Sequence, residues 1–181
     1  MPELGGGTGA WSPGARVGAA TSLVMDVLAR EGAVWVREAS SSMAPLIQPR
    51  DEVRLVAVDP GRVALGTLIA YRREDRLILH RVLDRHEAGI VGKGDALASP
   101  DPLVGWEQVV GRVTALRRAG RRPADLDAFP WPLVHNALGV IAAIACHLPV
   151  EHGAGGRFPL LPRLLWKSLR APFYLARCLV P

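Results

Sequence analysis

Three short segments of this chain carry the residue types that a serine hydrolase needs. Residues 40–45 read Ser-Ser-Ser-Met-Ala-Pro, a His-Arg-Val step begins at His80, and a Gly-Asp step ends at Asp95. A serine hydroxyl is nearly inert at neutral pH, so it needs a base within hydrogen-bond reach and donors for the oxyanion. Ser42 and His80 can supply the nucleophile and the base. Asp95 or Asp101 can supply the orienting carboxylate.

The order of these segments resembles the type I signal peptidases, a family of serine endopeptidases. The shared pattern is Ser-x-Ser-Met-x-Pro at 40–45, a hydrophobic strand with His-Arg-Val at 80–82, and Lys-Gly-Asp at 93–95 followed by Asp101. The resemblance is closest to the endoplasmic-reticulum and archaeal branch, which uses Ser-His where most bacterial relatives use Ser-Lys. It spans residues 38–116.

The resemblance implies a role for each matched position. Ser42 is the nucleophile, because the family's attacking serine directly precedes Met, and His80 is the base. Asp95 with Asp101 orients His80 or braces the site. Ser40 and the backbone amide of Ser42 stabilise the oxyanion. No cofactor is implied, and the substrate is an extended peptide or protein precursor paired to a strand edge, with small residues before the cut.

Other chemistries find less support in the sequence. Lys93 is a rival base of the Ser-Lys type, but it precedes Gly94 and Asp95, where the resembled branch has a non-catalytic lysine. No metal site is predicted, because the other histidines show no metal-ligand spacing with acids or cysteines. These histidines are His86, His135, His147 and His152.

Composition bounds the expected partners. The 181 residues include 22 Lys and Arg against 17 Asp and Glu, for a net charge of +5. A basic chain invites nucleic-acid or anionic-membrane partners. The arginines are scattered, aromatic residues make up only 6% of the chain, and no nucleic-acid module is recognisable. Nucleic acid is therefore not an expected partner.

The segment around the candidate residues is predicted to consist of short strands. Residues 53–58 alternate, residues 67–71 begin another strand, and residues 76–83 return from a hairpin and carry His80. A further strand is predicted over residues 109–116. Short strands at this turn spacing, without a βαβ rhythm, predict a mainly β fold. By resemblance this is a compact signal-peptidase/LexA-like β-barrel or sandwich, with an N-terminal helix and C-terminal apolar helices.

The sequence predicts three consecutive regions in the chain. Residues 1–16 are rich in Gly and Pro and are predicted to be disordered. The catalytic domain covers residues 17–122 and opens with an amphipathic helix predicted over residues 21–36, broken near Gly32. Residues 123–181 are predicted to form an apolar and amphipathic helical tail.

The sequence of the tail predicts association with a membrane. Residues 131–150 are long enough to span a bilayer, but three polar side chains make them a weak span. Residues 159–179 interleave basic residues with leucine and aromatics, as in a helix that lies in an anionic membrane surface. A helical hairpin packed on the domain fits the same pattern. Arginines within 117–122 would keep the adjoining side cytoplasmic. We therefore expect membrane association on the cytoplasmic face, with a soluble cytoplasmic protein as the alternative.

We expect from these features a serine endopeptidase that cleaves a peptide or protein precursor by Ser-His acyl transfer. One alternative is a LexA-like self-cleaving regulator, although only 41 residues precede Ser42 and they hold no helix-turn-helix pattern. The other is a non-catalytic membrane-surface binding module in which Ser42 and His80 have no chemical role.

Overall fold

A computed structural model describes residues 13–146 and 171–180, with side chains from residue 18 onward. Within these residues the protein is mainly an antiparallel β-sheet with three helices. The mainly β fold predicted from the short, turn-separated strands is therefore confirmed. Residues 1–12 of the predicted disordered N-terminus lie outside the described residues, and helix α1 covers Pro13–Glu31.

Eight strands within the described residues form one sheet. In chain order they are β1 (Ala33–Arg37), β2 (Glu52–Val56), β3 (Leu68–Arg73), β4 (Arg76–His86), β5 (Gly89–Lys93), β6 (Val104–Gly105), β7 (Val109–Arg117) and β8 (Ala124–Asp125). They lie in the order β1-β2-β7-β3-β4-β5-β6, and β8 pairs with β7. The pairings are antiparallel, which agrees with the sequence's lack of a βαβ rhythm.

The hairpin of β3 and β4 carries the histidine that was predicted to be a base. Its tip is at residues 74–75, between the two strands, so the predicted hairpin is confirmed. Side chains alternate along β4, and His80 and Arg81 therefore point to opposite faces of the sheet. The neighbouring side chains show the same alternation, because Leu79 and Val82 belong to different buried clusters.

The amphipathic helix predicted over residues 21–36 begins too late and extends too far, but the break predicted near Gly32 is confirmed. α1 begins earlier and stops at Glu31, and Gly32 then takes a positive φ of 72°. The following residues form β1, which pairs with β2. Val34 and Val36 are β-branched, so they favour a strand once a pairing partner is present.

Buried side chains form two clusters on the two faces of the sheet. The larger cluster joins the strands to helix α2 (Trp131–Cys146) and to residues 171–180, of which 171–178 are helical. The smaller cluster lies on the face of His80 and contains Val63, Ile69, Tyr71, Val82, Ile90 and Val104. The sheet thus buries apolar side chains on both of its faces.

Helix α2 packs backbone against backbone on the turn before β3. Gly66 in this turn has a φ of 85°, and a Cβ added there would overlap the carbonyl oxygen of His135. A Cβ on Gly139 would lie 2.7 Å from the Gly66 backbone. Because neither glycine carries a side chain, the helix can lie directly on the turn.

The tail is described only in part. The apolar stretch predicted over residues 131–150 is described as far as Cys146, and the amphipathic stretch over 159–179 only from residue 171. Among the residues with described placement, no helix has the length and hydropathy needed to cross a bilayer. The sheet continues beyond residue 122 through β8, and Trp131 of α2 is buried in the larger cluster.

Replacement of Gly66 tests this backbone contact. Gly66→Ala should lower the free energy of unfolding more than Gly120→Ala, by about 1–3 kcal/mol, because only the first variant overpacks the helix. Gly120 is a matched control, since it has a φ of 72° and nothing within 4 Å of an added Cβ. Urea unfolding measures both variants. Equal losses would show that α2 does not press on this turn.

Candidate active site

Ser42 lies on a turn after β1 that is anchored by buried neighbours. Met43, Leu46 and Ile47 are completely buried, whereas Ser42 is half-buried. The carbonyl oxygen of Ser42 accepts a hydrogen bond from the backbone N–H of Ala96 at 2.8 Å. The turn is therefore fixed from inside, while the Ser42 hydroxyl is left at the surface of a cleft.

Ser40 lies beside Ser42, as the oxyanion prediction requires. The two hydroxyl oxygens are 3.1 Å apart, and the Ser42 amide donates to the Ser40 hydroxyl at 3.3 Å. The amide of Ser40 donates to a carboxylate oxygen of Glu38 at 2.7 Å. The two groups predicted to bind an oxyanion thus bond to each other in this arrangement.

His80 reaches the same cleft from β4. Its side chain is nearly buried, and its Nε2 atom lies 3.0 Å from the position that a Cβ on Gly94 would take. The carbonyl oxygen of Ser42 lies 2.7 Å from that same position. These two residues are close neighbours without a direct hydrogen bond between them. The hydrogen bond between a nucleophile and its base is often long when no substrate is bound.

Asp101 holds the other nitrogen of this imidazole. Its Oδ2 atom lies 2.5 Å from His80 Nδ1, and it also accepts the Tyr71 hydroxyl at 2.9 Å. Arg73 donates to the second carboxylate oxygen at 3.3 Å. Burial alone would raise the pKa of Asp101, but His80, Tyr71 and Arg73 together lower it. Asp101 is therefore an ionised acceptor that favours a proton on Nδ1 and leaves Nε2 free to accept one.

Tyr71 stays a hydrogen-bond donor in this group. Burial raises the pKa of its hydroxyl, and the charge of Asp101 raises it further. The Tyr71 hydroxyl lies 3.4 Å from His80 Nδ1, close to the shared carboxylate oxygen. Neither Tyr71 nor Arg73 was identified from the sequence. The sequence signal for them is only their position in strand β3, where alternation turns their side chains toward His80.

The structure separates the two candidate acids. Asp95 does not contact His80; it forms a bidentate pair with Arg81 at 2.8 and 2.7 Å, and both side chains are fully buried. Of the two aspartates, Asp101 orients the histidine. Asp95 braces the turn whose residue Ala96 holds the Ser42 carbonyl group.

Arg81 has partners on several elements. One guanidinium nitrogen donates to the Gly66 carbonyl oxygen at 3.0 Å and to His135 Nδ1 at 3.1 Å, and the group lies 5.7 Å from the Phe173 ring centroid. A buried charge needs such complete pairing. In the sequence, the apolar residues that flank Arg81 in β4 indicate that its guanidinium group has a buried partner. They do not identify that partner.

Lys93 lies on the other face of the sheet from His80. It pairs directly with Arg81 between β4 and β5, and its side chain is buried. Residues directly opposite each other share a face, so the Lys93 amine points away from the cleft. This geometry disfavours Lys93 as the base.

The cleft itself has a volume of about 700 Å³. It runs along β4 from His80 to Arg76, between α1 and the residues that follow β1. Its apolar lining consists of Ala20, Val24, Val36, Ala39, Val53, Leu55, Ala70, Leu77, Ile78, Leu79 and Leu97. A mostly aliphatic channel thus leads to Ser42 and His80. Within the described part of the chain, no three His, Cys, Asp or Glu side chains are grouped to hold a metal ion.

Comparison with other proteins does not identify this site. No protein-family model matches the chain, and no curated protein matches its sequence. The chemistry of the site follows from its side chains, which are a half-buried serine, a histidine with a free Nε2 and a partly buried carboxylate on Nδ1.

The pairing of His135 with Arg81 generates a prediction about stability. Burial and then the positive charge of Arg81 lower the pKa of His135 to about 3, against about 6.5 in an unfolded chain. Between these values the unfolded chain binds a proton that the folded protein does not. Stability should therefore fall as the pH falls below about 6.5, by at most about 1.4 kcal/mol per pH unit from this residue.

Urea unfolding between pH 7 and pH 5 measures this effect, because most carboxylates stay ionised there. His135→Gln keeps an acceptor for Arg81 but does not titrate, so it should flatten the dependence. His86→Gln, at an exposed histidine on β4, is the control and should leave it unchanged. The same slope in His135→Gln as in the unmodified protein would show that His135 is not the group responsible.

Proposed function

We propose that this protein is a serine endopeptidase of the signal-peptidase-like type. The observation that carries the proposal is the pair of His80 and Asp101 beside Ser42 in one cleft. The pair matches the roles that the resemblance to type I signal peptidases assigns to His80 and to one of the two acids. The finer fold assignment, a signal-peptidase/LexA-like β-barrel or sandwich, belongs to the same proposal and is supported by a sheet with apolar clusters on both faces.

The reaction proceeds by acyl transfer. Ser42 Oγ attacks the carbonyl carbon of the scissile peptide bond while His80 Nε2 takes its proton. The tetrahedral intermediate collapses as His80 returns that proton to the departing amine. Water, again activated by His80, then hydrolyses the ester on Ser42. Asp101 remains ionised and stabilises the imidazolium that forms in each step.

The oxyanion donors become available when the side chains of Ser42 and Ser40 both rotate. The Ser42 hydroxyl now bonds to Ser40, and a turn about its χ1 angle toward His80 would release the Ser40 hydroxyl. The Ser42 amide donates to Ser40 Oγ at 3.3 Å, so it is released only when the Ser40 side chain turns as well. Two adjacent donors next to the attacked carbon provide the stabilisation that such intermediates require.

The substrate proposed is an extended peptide or protein precursor. An extended chain rises about 3.3 Å per residue, so the length of β4 from His80 to Arg76 accommodates several residues on one side of the cut. Aliphatic and small residues such as Ala20 and Leu77 line that path, which suits apolar substrate side chains. The resemblance adds small residues directly before the cleaved bond.

A fluorophosphonate probe for active serines tests the nucleophile and the base. Labelling should occur at Ser42, disappear in Ser42→Ala and fall by about 100-fold or more in His80→Ala, since the serine is then without a base. Ser41→Ala and His86→Ala change exposed neighbours of the same types and should label normally. Normal labelling of Ser42→Ala would exclude Ser42 as the nucleophile.

The two aspartates should separate catalysis from stability. Asp101→Asn should lower the rate of probe labelling by roughly 100-fold or more, because the imidazole loses its correct tautomer. Asp95→Asn should mainly lower the free energy of unfolding, by about 3–5 kcal/mol, because it leaves Arg81 buried without its counter-charge. Labelling rates per folded molecule and urea unfolding measure the two effects. The reverse pattern would contradict the assigned roles.

A further inference from the structure

Part of strand β4 has an open edge. β3 pairs with β4 from Arg76 to Arg81, whereas β5 pairs with it only from Arg81 to His86. Between Arg76 and His80, one edge of β4 therefore has no strand beside it among the described residues. The cleft surrounds this edge, because side chains from both faces of the segment line it. An extended peptide bound there would pair with the backbone of β4 and run from His80 toward Arg76.

Alternation places Arg76 on the same face of β4 as the candidate base. His80, Ile78 and Arg76 follow one another at intervals of two residues, and such residues share a face. On β3, Arg73 lies directly opposite Arg76, so two guanidinium groups meet at this end of the cleft. Like charges that are directly opposite destabilise a sheet. An anion bound at this end would be stabilised by both charges.

Three arginines line the cleft, and they differ in their partners. Arg37 pairs with Glu52 on the neighbouring strand at 3.3 Å. Arg73 donates to Asp101 at 3.3 Å. Arg76 is exposed, and no carboxylate of the described residues pairs with it. Of the three guanidinium groups, that of Arg76 is therefore the one with its donors open to a ligand.

The carboxylates that line the cleft lie at its other end. They belong to Glu38 and Asp101. Glu38 accepts a hydrogen bond from the Ser40 amide at 2.7 Å, and Asp101 holds the His80 imidazole. Both acids are thus engaged beside the serine and the histidine, and neither balances the charge at the far end.

The acids of the hairpin tip do not balance that charge either. Asp75 precedes Arg76 but lies against helix α1, because its carboxyl carbon is 3.1 Å from the position of a Cβ on Gly18. Its carbonyl oxygen accepts the Thr21 hydroxyl at 2.9 Å. Neither Asp75 nor Glu74 lines the cleft. The end of the cleft at Arg76 is therefore positively charged.

We propose that Arg76, with Arg73 beside it, binds an acidic side chain of the substrate, an Asp or Glu about four residues from the cleaved bond. The spacing follows from strand geometry, because a peptide beside β4 advances at the same rise per residue as the strand does between His80 and Arg76. A guanidinium group binds a carboxylate through two parallel hydrogen bonds. The position of the cut rests on the proposed peptidase function, whereas the binding of the carboxylate does not require catalysis.

Peptide binding to the Ser42→Ala variant tests the site without cleavage. The probes are fluorescein-labelled peptides of Ala and Leu of about ten residues, enough to cover the path from His80 to Arg76 at about 3.3 Å per residue. They carry a single Asp, Asn or Lys at the same position. Fluorescence anisotropy should show that the Asp peptide binds about tenfold more tightly than the Asn peptide, the factor expected for a charge-assisted hydrogen bond. The Lys peptide should bind most weakly.

Substitutions of Arg76 in the same variant should change this preference. Arg76→Gln should bind the Asp and Asn peptides equally, and Arg76→Lys should keep part of the preference because it keeps the charge. Arg72→Gln is the matched control, since Arg72 is an exposed arginine of the same hairpin that does not line the cleft. It removes the same charge and should leave the preference for Asp unchanged. Thermal unfolding checks that the variants remain folded, as expected at exposed positions.

Cleavage by the unmodified protein locates the acid relative to the cut. Mass spectrometry of the products should place the cut about four residues from the Asp. When the Asp is moved along the peptide, the cut should move with it. If Ser42 is not labelled by a fluorophosphonate and no peptide is cut, but Arg76→Gln still removes the preference for Asp, the peptidase function fails and the carboxylate site stands.

Three outcomes would overturn the carboxylate site even when Ser42 is labelled. Equal binding of the Asp and Asn peptides, or no binding of either, would show that the cleft does not select a carboxylate. A preference for Asp that survives in Arg76→Gln would place the carboxylate elsewhere. Cuts at positions that do not depend on the Asp would show that it does not determine specificity.

Discussion

The buried pair of Arg81 and Asp95 is the interaction on which the rest of the structure depends. A fully desolvated guanidinium is tolerated only when its donors are matched, and here the carboxylate, a backbone carbonyl and His135 match them. The pair also fixes the register of β4. A slip of one residue would move every side chain to the other face, so that Arg81 would enter the cleft and His80 the core. The ion pair thus determines where the histidine points.

The second constraint is the convergence of several elements on one carboxylate. Tyr71 and Arg73 come from β3, His80 comes from β4, and Asp101 follows β5, with its amide bonded to the carbonyl oxygen of Gly92. A Cβ on Gly92 would lie 3.3 Å from the carboxylate, so this position favours glycine. Because the anion is bound by three side chains and partly buried, it stays ionised without free access to water.

The sequence predicts the strands around His80 and the residues of the cleft better than it predicts their contacts. Turn residues and period-2 alternation identify the hairpin, because both signals are local. Asp95 and Asp101 follow the same strand, and only the faces to which they turn decide which one meets the histidine. The helix predicted over 21–36 fails only after Gly32, because the short apolar run there fits both periods. The contact of His135 with Arg81 joins residues 54 positions apart, for which the sequence holds no local signal.

The alternation of β4 gives the two faces of the sheet different roles. One face bears His80 and Tyr71, and the other bears Arg81, which contacts α2 through His135 and the helix at residues 171–178 through Phe173. The two faces are nevertheless linked, because Asp95 pairs with Arg81 and the next residue, Ala96, holds the Ser42 carbonyl group. α2 contacts Arg81 through His135, and Arg81 in turn contacts the serine turn through Asp95 and the neighbouring Ala96. Strand β4, which carries the base, therefore also connects α2 to the turn that carries the nucleophile.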